Sequence, residues 1–392
     1  MTQAFQNGVK TWYGRSAAVR IISGSASSRP LRSDRRRPSA SRAWLTAASR
    51  RWLSGVTSRL AKTTSAPCSR IVSTAAWTTS VTALYGADAT GGVVNIILKS
   101  GSETPTATVK GGAGSFGRYR AAAAADGKVD RFSYALAGYY EEADGTNVVE
   151  NNVNASVHMI DDCDYDKHGV DMNTGYQFSD SAGLRFFYDY GNNKYTRGRP
   201  HVGGDWDYNL AGLLYDQQIG KRLTINAYLG LRSDDYLHLY DRGGTNYDPR
   251  QKRDMDYSEM PAELRATAAL GGHTVTVGAY YNNQETEQRY KNWTSGALLQ
   301  ENKYSVRTMA GYVQDVWTIT DAMILTAGLR YDHWENYDNY FSSYTDQTLE
   351  DRTDDHLSPK IGLRYNFADS TSIWGNYSTG FTPPTSAQLY DD

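Results

Sequence analysis

The sequence has 392 residues, and 40% of them are hydrophobic. Its formal net charge is −2 and its mean hydropathy is negative. No run approaches the roughly 18 apolar residues of a membrane-spanning helix, so a helical membrane bundle is excluded. A membrane β-barrel is not excluded, because alternating strands dilute the hydropathy signal. The 30 Tyr and 9 Trp against 9 Phe suit aromatic belts at water–lipid boundaries, but equally suit a carbohydrate-binding or sandwich protein.

The small net charge hides two unlike parts of the chain. Residues 1–80 contain 14 Lys and Arg and one acidic residue, Asp34, which leaves 27 of the 41 basic and 42 of the 43 acidic residues for 81–392. The second part is therefore strongly acidic. Cys68 and Cys163 fall one in each part, so they give neither a disulfide framework nor a metal-binding spacing.

Residues 1–80 do not show the pattern of a folded domain. They are rich in Arg and Ser, contain Arg35-Arg36-Arg37, and show no sustained period of 2 or 3.6. Such a basic, acid-poor start is typical of an organelle transit peptide, and a nucleic-acid-binding arm is a second alternative. We favour a segment that is disordered or read in an altered frame, because the composition changes abruptly near residue 80. No secretion signal follows Met1.

Residues 83–99 combine a glycine turn with an apolar strand. Gly91 and Gly92 supply backbone angles that a side chain would forbid. Val93 to Leu98 is the β-branched apolar run of a strand buried on both faces. After this stretch apolar and polar residues alternate with a period of two, and before it they do not.

Residues 102–392 are predicted to form successive strands with no helix between them. Ile225, Leu229 and Leu231 face one way, whereas Asn226 and Arg232 face the other. This pattern is typical of a barrel wall that is apolar outside and polar inside, and equally of a sandwich.

The connections between the strands decide between these two folds. Short connections are expected near 126–131, 179–183, 220–222, 271–272, 320–322 and 368–371, and long polar loops near 143–165, 195–206, 234–257, 285–302 and 335–355. A membrane barrel has one rim of tight turns and one of long loops, whereas a Greek-key sandwich has no reason to keep one rim short. The sequence therefore predicts an all-β, antiparallel up-and-down transmembrane β-barrel of about 13 strands.

Residues 83–99 resemble the last strand of the plug domain of TonB-dependent outer-membrane receptors, where the chain enters the barrel. Later segments resemble successive barrel strands of that family in order and spacing: Gly311–Trp317, Leu325–Asp332, Leu357–Tyr365, Tyr377–Thr385 and Gln388–Tyr390. The resemblance divides the chain into the atypical segment 1–80, a plug remnant at 81–101 and a partial receptor barrel at 102–392. Family members have about 22 strands around a plugged lumen, so we expect an incomplete barrel and a truncated, inactive chain.

The resemblance also implies a function, which is energy-coupled uptake of a large scarce ligand across the bacterial outer membrane. The expected ligand is a ferric siderophore, and cobalamin is the alternative. The implied partners are the TonB–ExbB–ExbD complex and outer-membrane lipid, without nucleic acid, although no coupling box for TonB is found in this sequence. No nucleophile–base pair is recognisable, so we expect a transporter and not an enzyme, while a passive porin would lack the plug segment.

An acidic cluster lies at the end of the first long loop. Alternate carboxylates on a flexible loop can form an oxygen cage for calcium, and in cobalamin receptors of the family a similar loop binds calcium. The resemblance thus makes Asp162, Asp164 and Asp166 candidate calcium ligands. A solvated acidic loop is the alternative, because a closing Glu is missing. Apart from this calcium, no cofactor is expected.

Aromatic residues of the long loops are candidates to line a ligand vestibule, and packing in an interfacial belt is the alternative. They are Trp206, Tyr208, Tyr240, Trp293 and Trp334. Gly112–Gly117 spells a dinucleotide-binding pattern, but the following residues continue as a strand where that motif requires a helix. We therefore interpret it as a glycine-rich hairpin.

Overall fold

The computed structural model describes residues 98–145, 161–243, 246–342, 346–368, 371–381 and 383. The strands are β1 (Thr106–Ala113), β2 (Tyr119–Val129), β3 (Phe132–Ala143), β4 (Tyr165–Ser179), β5 (Ala182–Arg199), β6 (Val202–Ile219), β7 (Leu223–Gly243), β8 (Asn246–Leu270), β9 (His273–Asn292), β10 (Leu298–Thr320), β11 (Met323–Ser342), β12 (Asp346–Leu349), β13 (Arg352–Ala368) and β14 (Thr371–Ser378). No helix in these ranges has the length and apolar character of a membrane crossing. The predicted segment 1–80 and most of the plug remnant lie outside the described residues.

All the described strands belong to one antiparallel sheet. The order runs consecutively from β1 to β11 and then through β13 and β14, while the four-residue β12 pairs with β11 at one end. Each strand of the path therefore pairs with the next one along the chain. This confirms the predicted all-β, up-and-down architecture, and the path of thirteen strands has the expected length.

The two rims of the sheet differ, but three of the five long loops predicted at one rim are strands. The predicted loop at 143–165 agrees with the end of β3 and the start of β4, and residues 146–160 of it lie outside the described residues. Tight turns join the strands at 130–131, 180–181, 220–222, 271–272 and 321–322, as expected. At the opposite rim, only Pro200 and His201 separate β5 from β6, and only residues 293–297 separate β9 from β10. The prediction of long loops at 195–206, 234–257 and 285–302 is wrong, because these polar segments continue the backbone hydrogen-bond ladder as strands.

One face of the sheet is apolar and the other is polar. Leu231 and Leu264 are 53% and 58% exposed on the outward face. On the inward face Arg330 and Asp332 are 3% and 1% exposed, and Arg330 Nε donates to both carboxylate oxygens of Asp332 at 2.8 and 3.0 Å. The sheet thus has the two faces of a membrane barrel wall, with an apolar surface for lipid and a polar lining.

Two glycines of the inward face make room for aromatic rings from the neighbouring strand. Gly191 pairs with Tyr208, and Gly212 pairs with Phe187. A Cβ atom at either glycine would collide with the ring opposite it. Each ring therefore lies flat over a backbone without a side chain, which fills the wall and holds the register of β5 against β6.

The segment that leads into β1 is anchored to the inward face of the first strands. The buried carboxylate of Asp126 accepts hydrogen bonds from Lys99 Nζ at 2.5 Å, from Thr106 Oγ1 at 2.6 Å and from the Ser102 amide at 3.3 Å. Asn173 Nδ2 of β4 donates to the Lys99 carbonyl at 2.8 Å. One carboxylate of β2 therefore organises the entry of the chain into the sheet.

We predict that Asp126→Ala lowers the free energy of unfolding by about 2 kcal/mol, because charge-assisted hydrogen bonds to a buried carboxylate contribute about 1.5–3 kcal/mol. Urea unfolding of the refolded chain in detergent measures this change. The control is Glu103→Ala, whose ion pair with Lys128 is exposed and is expected to contribute less than about 1 kcal/mol. Equal losses in the two variants would contradict the anchoring role of Asp126.

Candidate ligand-binding site on the inner wall

Strands β5 to β9 are longer than a membrane crossing requires. They have 18 to 25 residues, whereas a tilted membrane strand needs about 9–11. When the membrane crossing is counted from the rim of tight turns, the half of each strand farther from that rim extends beyond the bilayer. We call these the outer halves. Tyr195, His238 and Arg253 lie in these outer halves, where a ligand arriving from outside meets the inward face first.

The inward face of the outer halves carries a connected group of aromatic residues. Tyr236, His238 and Tyr240 alternate along β7 and so share one face. The hydroxyls of Tyr236 and Tyr240 each lie 3.2 Å from His238 Nδ1, and the rings of His238 and Tyr240 stack at 4.1 Å. Tyr195 of β5 extends the group, with its hydroxyl 2.6 Å from that of Tyr236.

Two arginines place positive charge on this aromatic wall. Arg197 Nη2 lies 3.3 Å from the Tyr195 hydroxyl, and its guanidinium is 5.4 Å from the Tyr195 ring. The Arg253 guanidinium is 5.9 Å from the Tyr240 ring and 5.8 Å from the Tyr290 ring. Cation–π geometry of this kind orients the guanidinium groups over the aromatic rings. The wall is thus suited to an anionic ligand with flat aromatic or conjugated parts.

His238 adds no charge to this wall at neutral pH. Burial, together with the charges of Arg197 and Arg253, lowers the pKa of His238 from its ordinary value of 6.5 to about 4. The neutral imidazole offers Nδ1 to the hydroxyls of Tyr236 and Tyr240. The positive charge that a ligand would meet on this part of the wall therefore comes from the two guanidinium groups.

The tips of three outer hairpins are held together above this wall by Arg199 and His201. Arg199 Nε lies 2.5 Å from Asp241 Oδ2 in a buried ion pair, and the Arg199 guanidinium lies 4.5 Å from the Tyr247 ring. His201 Nδ1 is 2.8 Å from the Tyr247 carbonyl oxygen, and the His201 ring meets Trp293 edge-on at 5.5 Å. These contacts join the β5–β6, β7–β8 and β9–β10 hairpins into one rim.

The five predicted vestibule aromatics are not gathered at one place. Tyr240 belongs to the wall formed by Tyr195, Tyr236, His238, Tyr240, Tyr290, Arg197 and Arg253, called here the arginine–tyrosine wall. Trp206 of β6 pairs in register with Tyr236, and its ring is 5.4 Å from that of Tyr208. Trp293 is at a hairpin tip, 4.8 Å from Lys252 Nζ. Trp334 is only 2% exposed and so offers a ligand almost no surface. Their common role in a ligand vestibule stays a prediction.

The three candidate calcium ligands are not arranged as a cage. Asp166 accepts a hydrogen bond from the Tyr140 hydroxyl at 2.7 Å, and its other oxygen is 3.6 Å from His168 Nδ1. Asp162 and Asp164 precede β4, where the Asp164 amide donates to Thr196 Oγ1 at 3.2 Å. No group of three or more His, Cys, Asp or Glu residues within the described ranges is placed to hold a metal ion. Calcium binding stays a prediction.

Arg197, Arg253 and His238 were not candidates in the sequence. The alternation of Tyr236, His238 and Tyr240 is a signal that could have marked the face of β7. No signal along the chain pairs His238 with Arg253, because they meet through the register of β7 with β8.

A family model described as "TonB dependent receptor-like, beta-barrel" matches residues 83–392. The chain belongs to the TonB-dependent receptor β-barrel family. The receptor is 23% identical over 332 residues to the iron-regulated outer membrane virulence protein of Vibrio cholerae serotype O1, a match that covers 79% of this chain and 44% of the relative. The family assignment confirms the resemblance found in the sequence.

Two solved structures show the same fold. The ferripyoverdine receptor of Pseudomonas aeruginosa has a TM-score of 0.64 and 15% identity, covering 78% of this chain and 46% of its own. The ferric yersiniabactin uptake receptor FyuA of Yersinia pestis has a TM-score of 0.63 and 16% identity, covering 77% and 51%. The receptor chain thus spans about half the length of these relatives. Its family places it in the bacterial outer membrane, as predicted.

We predict that Arg199→Met destabilises the outer rim of the receptor, because it leaves the buried Asp241 carboxylate without its ion-pair partner. Breaking a buried ion pair in this way costs about 3–5 kcal/mol. Hydrogen exchange measured by mass spectrometry should show faster exchange of the amides near 241–250. The matched control is Arg352→Met, whose ion pair is exposed. Unchanged protection near 241–250 in Arg199→Met would contradict the role of this residue.

We predict that the receptor loses stability as the pH falls from about 6.5 to 4, partly through His238. The folded state holds the pKa of His238 near 4, so the unfolded chain binds the proton first and is favoured as the pH falls through this window. Thermal unfolding between pH 7.5 and 4 should show a smaller fall of the midpoint in His238→Gln than in the unaltered protein. Parallel curves for the two proteins would contradict the lowered pKa.

Proposed function

We propose that the chain is part of an energy-coupled outer-membrane receptor that takes up a ferric siderophore. The observation that carries this proposal is the wall of Arg197 and Arg253 set among Tyr195, Tyr240 and Tyr290. Ferric siderophores that bind iron through catecholate or carboxylate oxygens are anionic, and those of the catecholate type carry flat aromatic rings. Guanidinium groups bind the charge of such oxygens and stack on their planes. The named relatives include receptors for ferripyoverdine and ferric yersiniabactin, which supports this ligand class.

The wall is suited to capture the ligand before it enters the membrane-spanning part. It stands in the outer halves of β5, β7, β8 and β9, on the face that lines the barrel. Its tyrosines are held by hydrogen bonds to one another and to His238, so little side-chain freedom is lost when a ligand binds. Transport would then require a mechanical step driven through TonB with ExbB and ExbD, which we propose from the family alone.

The test is the growth of a strain whose other iron-uptake receptors are deleted, with the receptor expressed from its own locus. A panel of purified ferric siderophores of catecholate, hydroxamate and carboxylate type is supplied as the only iron source. We expect growth on at least one of them that is lost when tonB is deleted. Growth that persists without TonB would indicate a passive pore. Cobalamin-dependent growth without use of any ferric siderophore would favour the alternative ligand.

We predict that Arg253→Gln weakens binding of the ferric siderophore that supports growth by about tenfold, because a charge-assisted hydrogen bond contributes about 1.5–3 kcal/mol and about 1.4 kcal/mol is a factor of ten. Fluorescence quenching on purified receptor measures the dissociation constant. Arg222→Gln is the matched control, since Arg222 is exposed at the rim of tight turns and should bind as the unaltered protein does. Equal affinity in both variants would contradict the proposed site.

A further inference from the structure

Three cations surround one buried carboxylate at the outer end of β2, β3 and β4. Arg120, Glu141 and Lys167 pair in register across these strands, so they share a face. Glu141 Oε1 accepts hydrogen bonds from Arg118 Nη2 at 2.9 Å and from the Tyr165 hydroxyl at 2.8 Å. Lys167 Nζ lies 3.6 Å from the same oxygen, and Arg120 Nε lies 3.8 Å from Oε2. We call these five residues the Glu141 cluster.

A tight turn between β1 and β2 brings Arg118 to this cluster. Phe116 and Gly117 both have left-handed backbone conformations, with φ angles of 63° and 62°. The Asp144 amide donates to the Phe116 carbonyl oxygen at 3.0 Å, which ties the turn to the end of β3. The glycine-rich hairpin expected from the sequence therefore serves to hold a guanidinium group against Glu141.

Lys167 has hydrogen-bond donors that the cluster does not use. Its ammonium group carries three N–H donors, yet it makes no hydrogen bond to any residue that the structure describes. Its contacts are the ion pair with Glu141 and the Tyr165 ring, whose centroid is 4.8 Å from Nζ. Glu141 Oε1 already accepts from two donors, which occupy its two lone pairs. The Lys167 side chain is 28% exposed, so its donors are open to an acceptor from outside.

The cluster also has more positive than negative charge. Within the described part of the chain, neither Arg118 nor Lys167 forms an ion pair with a carboxylate other than Glu141. Arg118 is 52% exposed and bonds to Glu141 through Nη2 alone, so its other N–H groups remain open to a ligand. Three cations around one carboxylate leave a surplus of two positive charges.

The Glu141 cluster stands at the entrance, beside the arginine–tyrosine wall. Lys167 lies twelve residues from Ser179, the end of β4 at the rim of tight turns, whereas a membrane crossing takes about 9–11 residues. Tyr165 pairs in register with Tyr195 of the wall, and side chains paired in this way are about 5 Å apart. A ligand held against Tyr195 therefore has the cluster within reach.

We propose that the Glu141 cluster is a carboxylate-binding subsite, and that the ligand is a ferric siderophore that carries a carboxylate group. This inference rests on the proposed function and adds the class of siderophore. One carboxylate oxygen of the ligand accepts a hydrogen bond from Lys167 Nζ, and the other accepts one from the open N–H groups of Arg118. Guanidinium groups match the planar carboxylate. Siderophores built only from catecholate or hydroxamate groups would leave these donors unpaired.

The experiment measures binding to the purified receptor by fluorescence quenching, with five ferric complexes as probes. Ferric citrate, ferric rhizoferrin and ferric pyochelin carry carboxylates, whereas ferric enterobactin and ferrichrome do not. Lys167→Gln removes the ammonium group of the subsite, and Lys194→Gln is the matched control. Lys194 is exposed and follows Asn193, the residue that pairs with Lys167. Its side chain therefore has the same height on the opposite face, and its loss changes the net charge equally.

We expect the unaltered receptor to bind at least one of the carboxylate probes, and Lys167→Gln to bind it about tenfold more weakly. The loss of one charge-assisted hydrogen bond has an effect of this size. Lys194→Gln should bind as the unaltered protein does, and Lys167→Arg should restore most of the affinity. The heat-dependent shift in gel mobility reports folding. If Lys167→Gln does not fold, Arg118→Gln removes the second donor of the same subsite.

Equal affinity of folded Lys167→Gln and Lys194→Gln for the carboxylate probes would overturn the proposal. The same loss for ferric enterobactin or ferrichrome would overturn the carboxylate assignment. A receptor that binds one of these two probes and no carboxylate probe would also overturn the subsite, while the proposed function would stand. The five complexes also serve as iron sources in the growth test. Binding of none of them, without TonB-dependent growth on any, would contradict the proposed function and the subsite together.

Discussion

The structure depends on the requirement that every backbone N–H and C=O group inside a bilayer finds a partner within the protein. Lipid offers no hydrogen bonds, so an unpaired backbone group there costs several kcal/mol. The antiparallel ladder meets this requirement for β2 to β11 and for β13, each of which pairs with a neighbouring strand on both sides. Because strand side chains alternate between two faces, the same ladder separates a surface for lipid from a polar lining. The ladder continues past the membrane, where it carries the outer halves of the strands.

The inward face shows how such a sheet accommodates charge. Arg232 with Asp234, and Arg330 with Asp332, are pairs two residues apart on one strand, so each pair shares a face; the first pair is partly buried and the second is fully buried. A buried charge is tolerated when its partner is held this close. Arg197 and Arg253 are placed differently, against tyrosine rings and hydroxyls at the outer end. Ion pairs within one strand thus line the inward wall, and Arg197 and Arg253 add positive charge among the aromatic residues near the entrance.

Much of the fold could be predicted, and little of the site could. The period of two in β7 and β8 and the tight turns at 220–222 and 271–272 predicted the architecture. The prediction of long loops at 195–206, 234–257 and 285–302 was wrong because polar segments were interpreted as loops, although polar residues also occur in strands, on alternate positions. Among the aromatic candidates, Tyr240 lies on the arginine–tyrosine wall, whereas Trp334 is buried. Side-chain type could not separate them, since exposure depends on the neighbouring strands.

The sequence alone determined that the chain forms long alternating strands and which residues of each strand share a face. Only the tertiary structure decided which residues meet across strands. Asp315, which falls on the apolar face of β10, lies 2.6 Å from His273 Nδ1, and the His273 ring stacks on Trp317 at 5.1 Å. Asp315 and His273 are 42 residues apart in the chain. A shift of register by one residue would send every side chain of a strand to the other face, so such contacts exist only once the long-range pairing is set.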